Sequence, residues 1–416
     1  MEHNLYFWII LVTLALHFAV ERLSAHLTWT RLTPRVPPEF EAVCPPERYA
    51  RMQAYTRDAL RFSRVAASFD FLVLLGFWFA GGFAAWESQV AARLTHPIPA
   101  GLAYLGGLAA ASAVLSWPFE WYSTFRLDGR HGLNRTTPRT FVLDRVKGLL
   151  LAGVLGGGLL AALIAFYRWT GAWAWLWAWA FLAVTTLFLQ YVAPSVLMPL
   201  FNKFWPLPGG ELRDGLTALA RRTGFPLREI LVMDGSRRSA RSNAFFTGFG
   251  ARKRIVLYDT LIEKHPTAEL LAITAHEIGH HRRGHIWIGT LVGLAQAGAL
   301  LFLLQMFVGH GPLFAAFGVA APSFHVGLVL FGLLLTPLQL VLRLVGNALS
   351  RWHERQADAF AREALGDGAP LADALRRLAM DNLGNLTPHP LAVFLHASHP
   401  PVLERVRSLE GKTREK

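Results

Sequence analysis

Two kinds of helix meet in one short stretch of this chain. Residues 268–308 read AELLAITAHEIGHHRRGHIWIGTLVGLAQAGALLFLLQMFV. The first half follows Pro266 and Thr267, which form a common helix start. This half contains all the charged residues and histidines of the stretch. The second half is uncharged, and no Asp, Glu, Lys or Arg occurs from Ile286 to Leu342. The sequence therefore predicts a polar helix that runs directly toward a membrane span.

The composition places much of the chain in lipid. Of its 416 residues, 53% are hydrophobic and 17% are charged, whereas soluble proteins carry about 25% charge. The net charge of +13 would suit nucleic-acid binding. Arginines that orient a membrane protein explain it better, so we expect a lipid bilayer and no nucleic acid as partner. The single cysteine, Cys44, excludes an internal disulfide.

Seven segments contain the roughly 20 apolar residues that a spanning helix needs. They are residues 5–23, 67–86, 99–119, 148–167, 172–200, 286–308 and 326–347. Pro194 and Pro199 interrupt the fifth and predict a kink or an exit from the bilayer there. The first has no basic residue before it and six spans after it, so we expect it to be retained rather than cleaved as a signal peptide.

Loop charges predict the orientation of these spans. Eight arginines lie between Arg22 and Arg64 in the first loop, and six basic residues lie between Arg126 and Lys147 in the third. The alternate side has only Arg93 and Arg168. Basic loops stay in the cytoplasm, so we expect an external N-terminus and cytoplasmic polar segments. Arginine outnumbers lysine, which favours a GC-rich bacterial genome and hence a bacterial inner membrane.

The polar segments have mixed local structure. Residues 213–223 have the pattern of an amphipathic helix, and three apolar runs have the pattern of short strands, at residues 229–233, 243–249 and 254–258. The fold class is therefore mostly α: a polytopic membrane protein with seven transmembrane helices plus a small α+β cytoplasmic portion. The expected regions are 1–200 with spans one to five, 201–285 with the histidine helix, 286–350 with spans six and seven, and the helical segment 351–416.

The histidine helix contains the motif His-Glu-x-x-His. His276 and His280 are four residues apart, so both imidazoles lie on one helical face and can reach a single cation. Glu277 lies beside them and can take a proton from the attacking water. A catalytic zinc site needs three protein ligands and one open position, and such a site makes hydroxide available near neutral pH.

A third ligand is expected farther along the chain. His285 does not fit the position of a third ligand. The metzincin pattern needs its third histidine ten residues after the first, whereas His285 is nine after His276. His281 points off the metal face, and we expect it to be solvated. Glu354 and Asp358 lie four apart on the helix after the last span. This spacing suits a ligand carboxylate together with a second carboxylate that accepts the ring N–H of a ligand histidine.

Both halves of this site lie near the predicted membrane boundary. His280 precedes Ile286 by six residues, which is about 9 Å along a helix, and Glu354 follows the seventh span by a similar margin. A substrate that is itself tethered to lipid would suit such a position.

The chain resembles the type I CAAX prenyl proteases, a family of integral-membrane zinc endopeptidases. The likeness covers most of the chain and rests on motifs in order. They are PFEWYSTF (118–125), HGLN (131–134), PLFNKF (199–204), DGS (234–236), NAFF (243–246), RIVLYDTL (254–261), the histidine helix, the Glu354 helix and HPP (399–401).

The resemblance implies a specific site. It implies seven spans that enclose a water-filled chamber, with one zinc ion held by His276, His280 and Glu354. Glu277 would be the general base and Asp358 the partner of a ligand histidine, in a gluzincin-like arrangement. His399 would stabilise the oxyanion, and Asn243 would lie on the edge strand that pairs with the substrate backbone.

The expected partner is a peptide or protein substrate, prenylated or membrane-tethered, cut near its C-terminus. Two other functions stay open at this stage. One is quality control of misfolded membrane proteins, as the smaller HtpX-type proteases perform. The other is transport or channel activity, which seven spans and a cavity would fit but which leaves the His-Glu-x-x-His motif and the Glu354 helix unexplained. The sequence gives no oligomeric state.

Overall fold

Helices make up most of residues 1–248 and 253–412, the part of the chain that the computed structural model describes. In chain order the α-helices are α1 Leu5–Thr30, α2 Pro46–Phe79, α3 Gly82–Ala91, α4 Pro97–Trp121, α5 Pro138–Leu151, α6 Gly157–Trp169, α7 Ala174–Val192, α8 Glu211–Arg222, α9 Asp259–Lys264, α10 Thr267–Arg282, α11 His285–Phe307, α12 Gly311–Ala315, α13 Phe324–Leu334, α14 Thr336–Leu365, α15 Ala369–Asp381, α16 Pro390–His396 and α17 Val402–Leu409. The strands are β1 Phe204–Pro206, β2 Leu227–Met233, β3 Ala244–Thr247 and β4 Lys253–Tyr258.

Each of the seven predicted membrane segments overlaps a long apolar helix or a bent helix pair among the described residues, but the second, predicted at 67–86, extends past the end of α2 at Phe79 into α3. Six of these helices are long and apolar enough to cross a bilayer unbroken, and a bent pair makes the seventh. The six are Leu5–Thr30, Pro46–Phe79, Pro97–Asp128, Pro138–Trp169, Gly171–Leu200 and His285–Phe307. Large apolar side chains on them are exposed to the surroundings, such as Leu72, Val154 and Val184. A surface of this kind is stable in lipid and not in water.

The fifth and seventh spans are irregular. In the fifth, α7 continues as a π-helical turn at Ala193–Leu197 and a 3-10 turn at Met198–Leu200. The helix is thus irregular at the two prolines, and the kink or exit from the bilayer that they predict stays a prediction. The seventh consists of α13 and α14, which meet at an angle of 60°, whereas residues 326–347 were predicted as one span. Pro337 in the first turn of α14 cannot donate a backbone hydrogen bond, which explains the break.

The sheet has the order β1-β2-β4-β3. β2 and β4 are parallel, and the two outer strands pair antiparallel with them. The predicted helix at 213–223 and the three predicted strands are confirmed with shifted ends, as α8, β2, β3 and β4. Strand β1 was missed, because its sequence Phe-Trp-Pro is too short to show alternation. Phe249, the last residue of one predicted strand, and residues 413–416 lie outside the described residues.

Helix α10 lies between the sheet layer and α14. Leu216 of α8, Leu257 of β4 and Ala275 of α10 are buried in one apolar cluster. Against the opposite side of α10 packs α14, and the two backbones come closest at Gly279. A Cβ built on Gly279 would lie 3.1 Å from the Ala357 Cα and 3.2 Å from its carbonyl oxygen. Only glycine therefore permits this approach without a shift of α14.

A single left-handed residue joins α10 to the sixth span. Gly284 has φ +70° and stands between the end of α10 and the start of α11. Residues with a Cβ rarely adopt this conformation. The predicted continuous passage from the histidine helix into the span is thus broken at this joint.

The chamber that the resemblance implies stays a prediction. Separate cavities lie among the helices, including one of about 550 Å³ between α2 and the end of α4 and one of about 680 Å³ bounded by α3, α6, α11 and α13.

Replacing Gly279 by valine should lower the thermal unfolding midpoint of the purified protein in detergent. The branched side chain would force α10 away from the Ala357 backbone, and overpacking of this kind costs about 1–3 kcal/mol. Gly289→Val in α11 is the matched control, because nothing lies within 4 Å of a Cβ at that position. Equal unfolding midpoints for the two variants would contradict the close approach.

Candidate metal centre

His276 and His280 face each other across one turn of α10. Their Nε2 atoms are 3.2 Å apart, and the ring centroids are 4.8 Å apart. His276 is buried and His280 half-buried. Two imidazole nitrogens that point at one place from the same helix face are the arrangement that a cation site requires.

Glu354 reaches the same place from α14. Its Oε1 lies 3.2 Å from His280 Nε2, and its Oε2 lies 3.4 Å from His276 Nε2. The three side chains offer ligand atoms within 4.8 Å of one another. Because Glu354 lies 78 residues after His276 and 74 after His280 in the sequence, only the packing of α14 on α10 brings it here.

The donor set fits a divalent metal ion. Glu354 Oε2 is buried and has no hydrogen-bond partner among the described residues, which costs free energy unless another group binds it. With neutral imidazoles, the carboxylates of Glu277, Glu354 and Asp358 and the guanidinium of Arg405 leave a net charge of −2. A divalent cation bound by Glu354 and the imidazoles would offset that charge. Two imidazoles and one carboxylate are also a zinc-type donor set.

Asp358 and Arg405 hold the outer side of His276. The Asp358 Oδ1 atom lies 2.9 Å from His276 Nδ1, as the spacing in the sequence predicted. Arg405 of α17 donates from its Nε and Nη2 atoms to the two Asp358 oxygens, at 2.8 and 2.6 Å. Its Nη1 lies 3.4 Å from Glu354 Oε2. This paired fork fixes both carboxylates in place.

Sequence reasoning missed Arg405. It is one of several arginines in a polar helical segment, and nothing in its neighbours distinguishes it. Its burial is the unusual property, since only 8% of the residue is exposed, and burial of an arginine depends on contacts that are distant in the chain.

The site changes the pKa values of two groups on α10. Burial alone would lower the pKa of the His276 imidazole, but the neighbouring carboxylates of Asp358 and Glu354 outweigh burial and raise that pKa to about 9. Burial raises the pKa of the Glu277 carboxyl, and the charges of His276 and His280 oppose the rise. Glu277 is thus a better proton acceptor than an exposed glutamate.

His399 approaches from the open side. Its Nε2 lies 3.3 Å from Glu354 Oε1, and 60% of its side chain is exposed. Ser398 Oγ lies 2.8 Å from His399 Nδ1. When that hydroxyl donates to Nδ1, the ring proton of the neutral imidazole is on Nε2, the atom directed at the site. The structure therefore places a hydrogen-bond donor next to the ligand group.

Asn243 lies directly before β3, the last strand of the described sheet. It is exposed, and its backbone carbonyl accepts a hydrogen bond of 3.1 Å from the Tyr258 N–H of β4. β3 packs against α10. The predicted edge strand is therefore present beside the histidine helix, with its outer edge free of other described strands.

Two further histidines lie near the site, and one of them differs from expectation. His281 is half-buried, with its ring edge-on to Phe225 and Phe246 at 5.2 and 5.9 Å, so the expectation that it is solvated was wrong. The side of α10 away from the metal site faces the sheet rather than water.

His285 is not among the converging ligand atoms, but its Nδ1 lies 3.0 Å from His280 Nδ1. Its ring also stacks on His353 at 4.0 Å, a support that the sequence did not reveal.

The whole chain is similar to proteins of known family. Residues 26–203 match the family described as CAAX prenyl protease N-terminal, five membrane helices. Residues 206–413 match peptidase family M48. The two matches meet where the membrane helices give way to the sheet.

Individual proteins agree with these matches. The CAAX prenyl protease 1 homolog of Arabidopsis thaliana is 35% identical over 395 residues, covering 91% of each chain. The Saccharomyces cerevisiae CAAX prenyl protease 1 is 31% identical and covers 94% of this chain and 92% of its own. The crystal structure of S. mikatae Ste24p superimposes with a TM-score of 0.93 at 30% identity, covering 98% of this chain and all of the other.

A likeness of this extent, together with the convergent His, His and Glu side chains, shows that the chain belongs to peptidase family M48, in its CAAX prenyl protease branch, and is a multi-pass membrane metalloendopeptidase.

Proposed function

We propose that this chain is a zinc endopeptidase that cuts membrane-associated or lipid-modified proteins of the CAAX type near their C-termini. The observation that carries the proposal is the convergence of two imidazole Nε2 atoms and a carboxylate from α10 and α14. The names of the similar proteins support a CAAX-type substrate.

The proposed ligands are His276, His280 and Glu354, for one zinc ion per chain. When bound, a zinc ion with these ligands supplies a Lewis acid and makes hydroxide available near neutral pH. Asp358 accepts the ring N–H of His276 and so keeps the Nε2 atom free to act as ligand. Arg405 holds Asp358 in that orientation through two hydrogen bonds.

Glu277 is the proposed general base. Its carboxylate takes the proton of the attacking water and later delivers it to the leaving amine. The raised pKa helps both transfers, because a catalytic acid–base group works best when its pKa is near the working pH. His399 is the proposed oxyanion partner, since its Nε2–H can donate to the carbonyl oxygen as negative charge develops there.

The substrate is proposed to bind as an added strand along the free edge of β3, next to Asn243. Backbone hydrogen bonds of this kind accept many side chains, so they position a peptide without demanding one sequence. The site also lies close to the bilayer, because α11 begins three residues after α10 ends. A substrate with a lipid group could therefore stay in the membrane while its peptide reaches the metal.

The topology and regions remain proposals as well. The basic first and third loops support a cytoplasmic site and an external N-terminus. The meeting of the two family matches near residue 205 supports the division at residue 200. A bacterial inner membrane is proposed on arginine usage alone, and the relatives reported above are eukaryotic.

Replacing Glu354 by alanine should lower the zinc content of the purified protein from about one ion per chain to well below half, because two imidazoles alone bind zinc weakly. Metal content is measured by plasma mass spectrometry. Glu363→Ala is the matched control, an exposed glutamate on the same helix. Full zinc content in Glu354→Ala would exclude this residue as a ligand.

Zinc binding should weaken as the pH falls from about 8.5 to 7. Without metal the His276 pKa is about 9, so below that pH zinc must displace a proton, and the apparent affinity should fall about tenfold per pH unit. Competition with a calibrated chelator measures it. Asp358→Asn removes one of the negative charges that raise this pKa, so the pH dependence of zinc binding should be shallower in this variant. An affinity independent of pH in the unaltered protein would contradict this assignment.

Replacing Glu277 by glutamine should abolish peptide cleavage while zinc stays bound. The expected loss in kcat is at least about 100-fold, the usual contribution of a positioned base. The assay uses a farnesylated C-terminal peptide and its unmodified counterpart in detergent, with phenanthroline as inhibitor. Glu263→Gln on α9 serves as the exposed control. Normal cleavage by Glu277→Gln would refute the base assignment, and equal rates on both peptides would refute a need for the lipid group.

A further inference from the structure

A cavity with several polar side chains in a largely apolar lining lies among the membrane helices, apart from the metal centre. Its volume is about 680 Å³. Five helices or their ends form its walls: α3, α4, α6, α11 and α13. Its lining includes the polar side chains of Glu87, Arg168, Gln305, Ser323 and His325. Neither the family matches nor the proposed reaction gives these residues a role.

The cavity lies at the membrane face opposite the metal centre. Helix α11 starts at His285, beside the metal ligands, and Gln305 and Val308 at its other end line the cavity. Twenty-three helical residues span roughly 34 Å, about one bilayer thickness. The end of α6 and the start of α13 reach the same face. A peptide at the metal would therefore not also fill this cavity.

An acid and a base line the cavity without pairing with each other. The Glu87 Oε2 atom contacts His325 Nε2 at 2.8 Å. The Arg168 guanidinium forms no hydrogen bond or ion pair with any residue that the structure describes. A cavity lined by both charges suits a ligand that carries both signs.

A further acceptor lines the same cavity. The Oε1 atom of Gln305 is buried and has no hydrogen-bond partner within the described part of the chain. Buried polar atoms are nearly always satisfied, so a donor from a ligand would suit this position. Glu87 and Gln305 together offer acceptors for the N–H groups of a primary ammonium ion.

We propose that this cavity binds the headgroup of a phosphatidylethanolamine molecule. The ammonium group is bound by Glu87 and Gln305, and the phosphate is bound by Arg168, whose planar guanidinium suits phosphate oxygens. A choline headgroup would bind less well, because its quaternary nitrogen has no N–H to donate.

The surroundings of the cavity suit the rest of a lipid molecule. Phe302 and Met306, on the same helix as Gln305, are exposed apolar side chains that acyl chains can cover. Trp169 and Trp173 are exposed where α6 ends and α7 begins. Tryptophan is typical of the interface between bilayer and water, which is the depth at which a headgroup lies.

The test is native mass spectrometry of the purified zinc-bound protein in micelles that contain equal amounts of phosphatidylethanolamine, phosphatidylcholine and phosphatidylglycerol. One ethanolamine lipid should be retained per chain, at least about tenfold over either competitor. Arg168→Gln and Gln305→Leu should each lower that retention about tenfold. Arg93→Gln should not, because Arg93 lies near the same membrane face and does not line the cavity.

Three results would overturn the proposal. The first is equal retention of the three lipids, and the second is retention in Arg168→Gln equal to that in Arg93→Gln. The third is full displacement of the lipid by millimolar free phosphoethanolamine, which would indicate a site for a soluble headgroup compound. Zinc content and peptide cleavage are measured in parallel, and unchanged values in all three variants show that the fold is intact.

Discussion

The close contact between α10 and α14 is the constraint on which the metal centre depends. The motif on α10 supplies two imidazoles and the carboxylate of Glu277, but neither helix alone completes the proposed donor set. Gly279 lets the backbone of α14 approach, with 3.1 Å between a hypothetical Cβ and the Ala357 Cα. Glu354 and Asp358 are on α14, so the packing of two apolar surfaces also determines the distance between ligands. The missing side chain of Gly279 therefore serves both the packing of the two helices and the geometry of the site.

Electrostatics adds a second dependence. Buried carboxylates are costly unless cations lie beside them, and here Arg405 neutralises only part of the charge that Glu277, Glu354 and Asp358 bring together. A divalent ion would supply the remainder, so metal binding and stability of the α10–α14 pair are thermodynamically linked. Because this arginine belongs to α17, the last helix described, the C-terminal segment must fold back onto α14 before the negative charge of the carboxylates is partly neutralised.

Local sequence patterns predicted the membrane spans and the pairing of histidines on one helix face. The spans follow from uninterrupted apolar length, and the pairing of His276 with His280 follows from helical periodicity. What the sequence hid depends on tertiary contact. Arg405 reaches Asp358 across 47 residues, and His281 packs on aromatic rings that belong to other elements. The bend at Leu335 was missed because a proline within an apolar run does not reveal the angle between the helices on either side of it. The roles proposed for His399 as oxyanion partner and for Asn243 in substrate binding came from the family likeness. The spacing of residues along the sequence could not have predicted them.

The left-handed glycine at position 284 fixes the rotational phase between two helices with different surroundings. Each residue added to a helix turns the following side chains by about 100°. One residue inserted or lost on the α10 side of this joint would turn the imidazoles away from Glu354, even though every span stayed apolar and every ligand remained in the chain. The length of this short connection is therefore constrained as well as the identity of the proposed ligands.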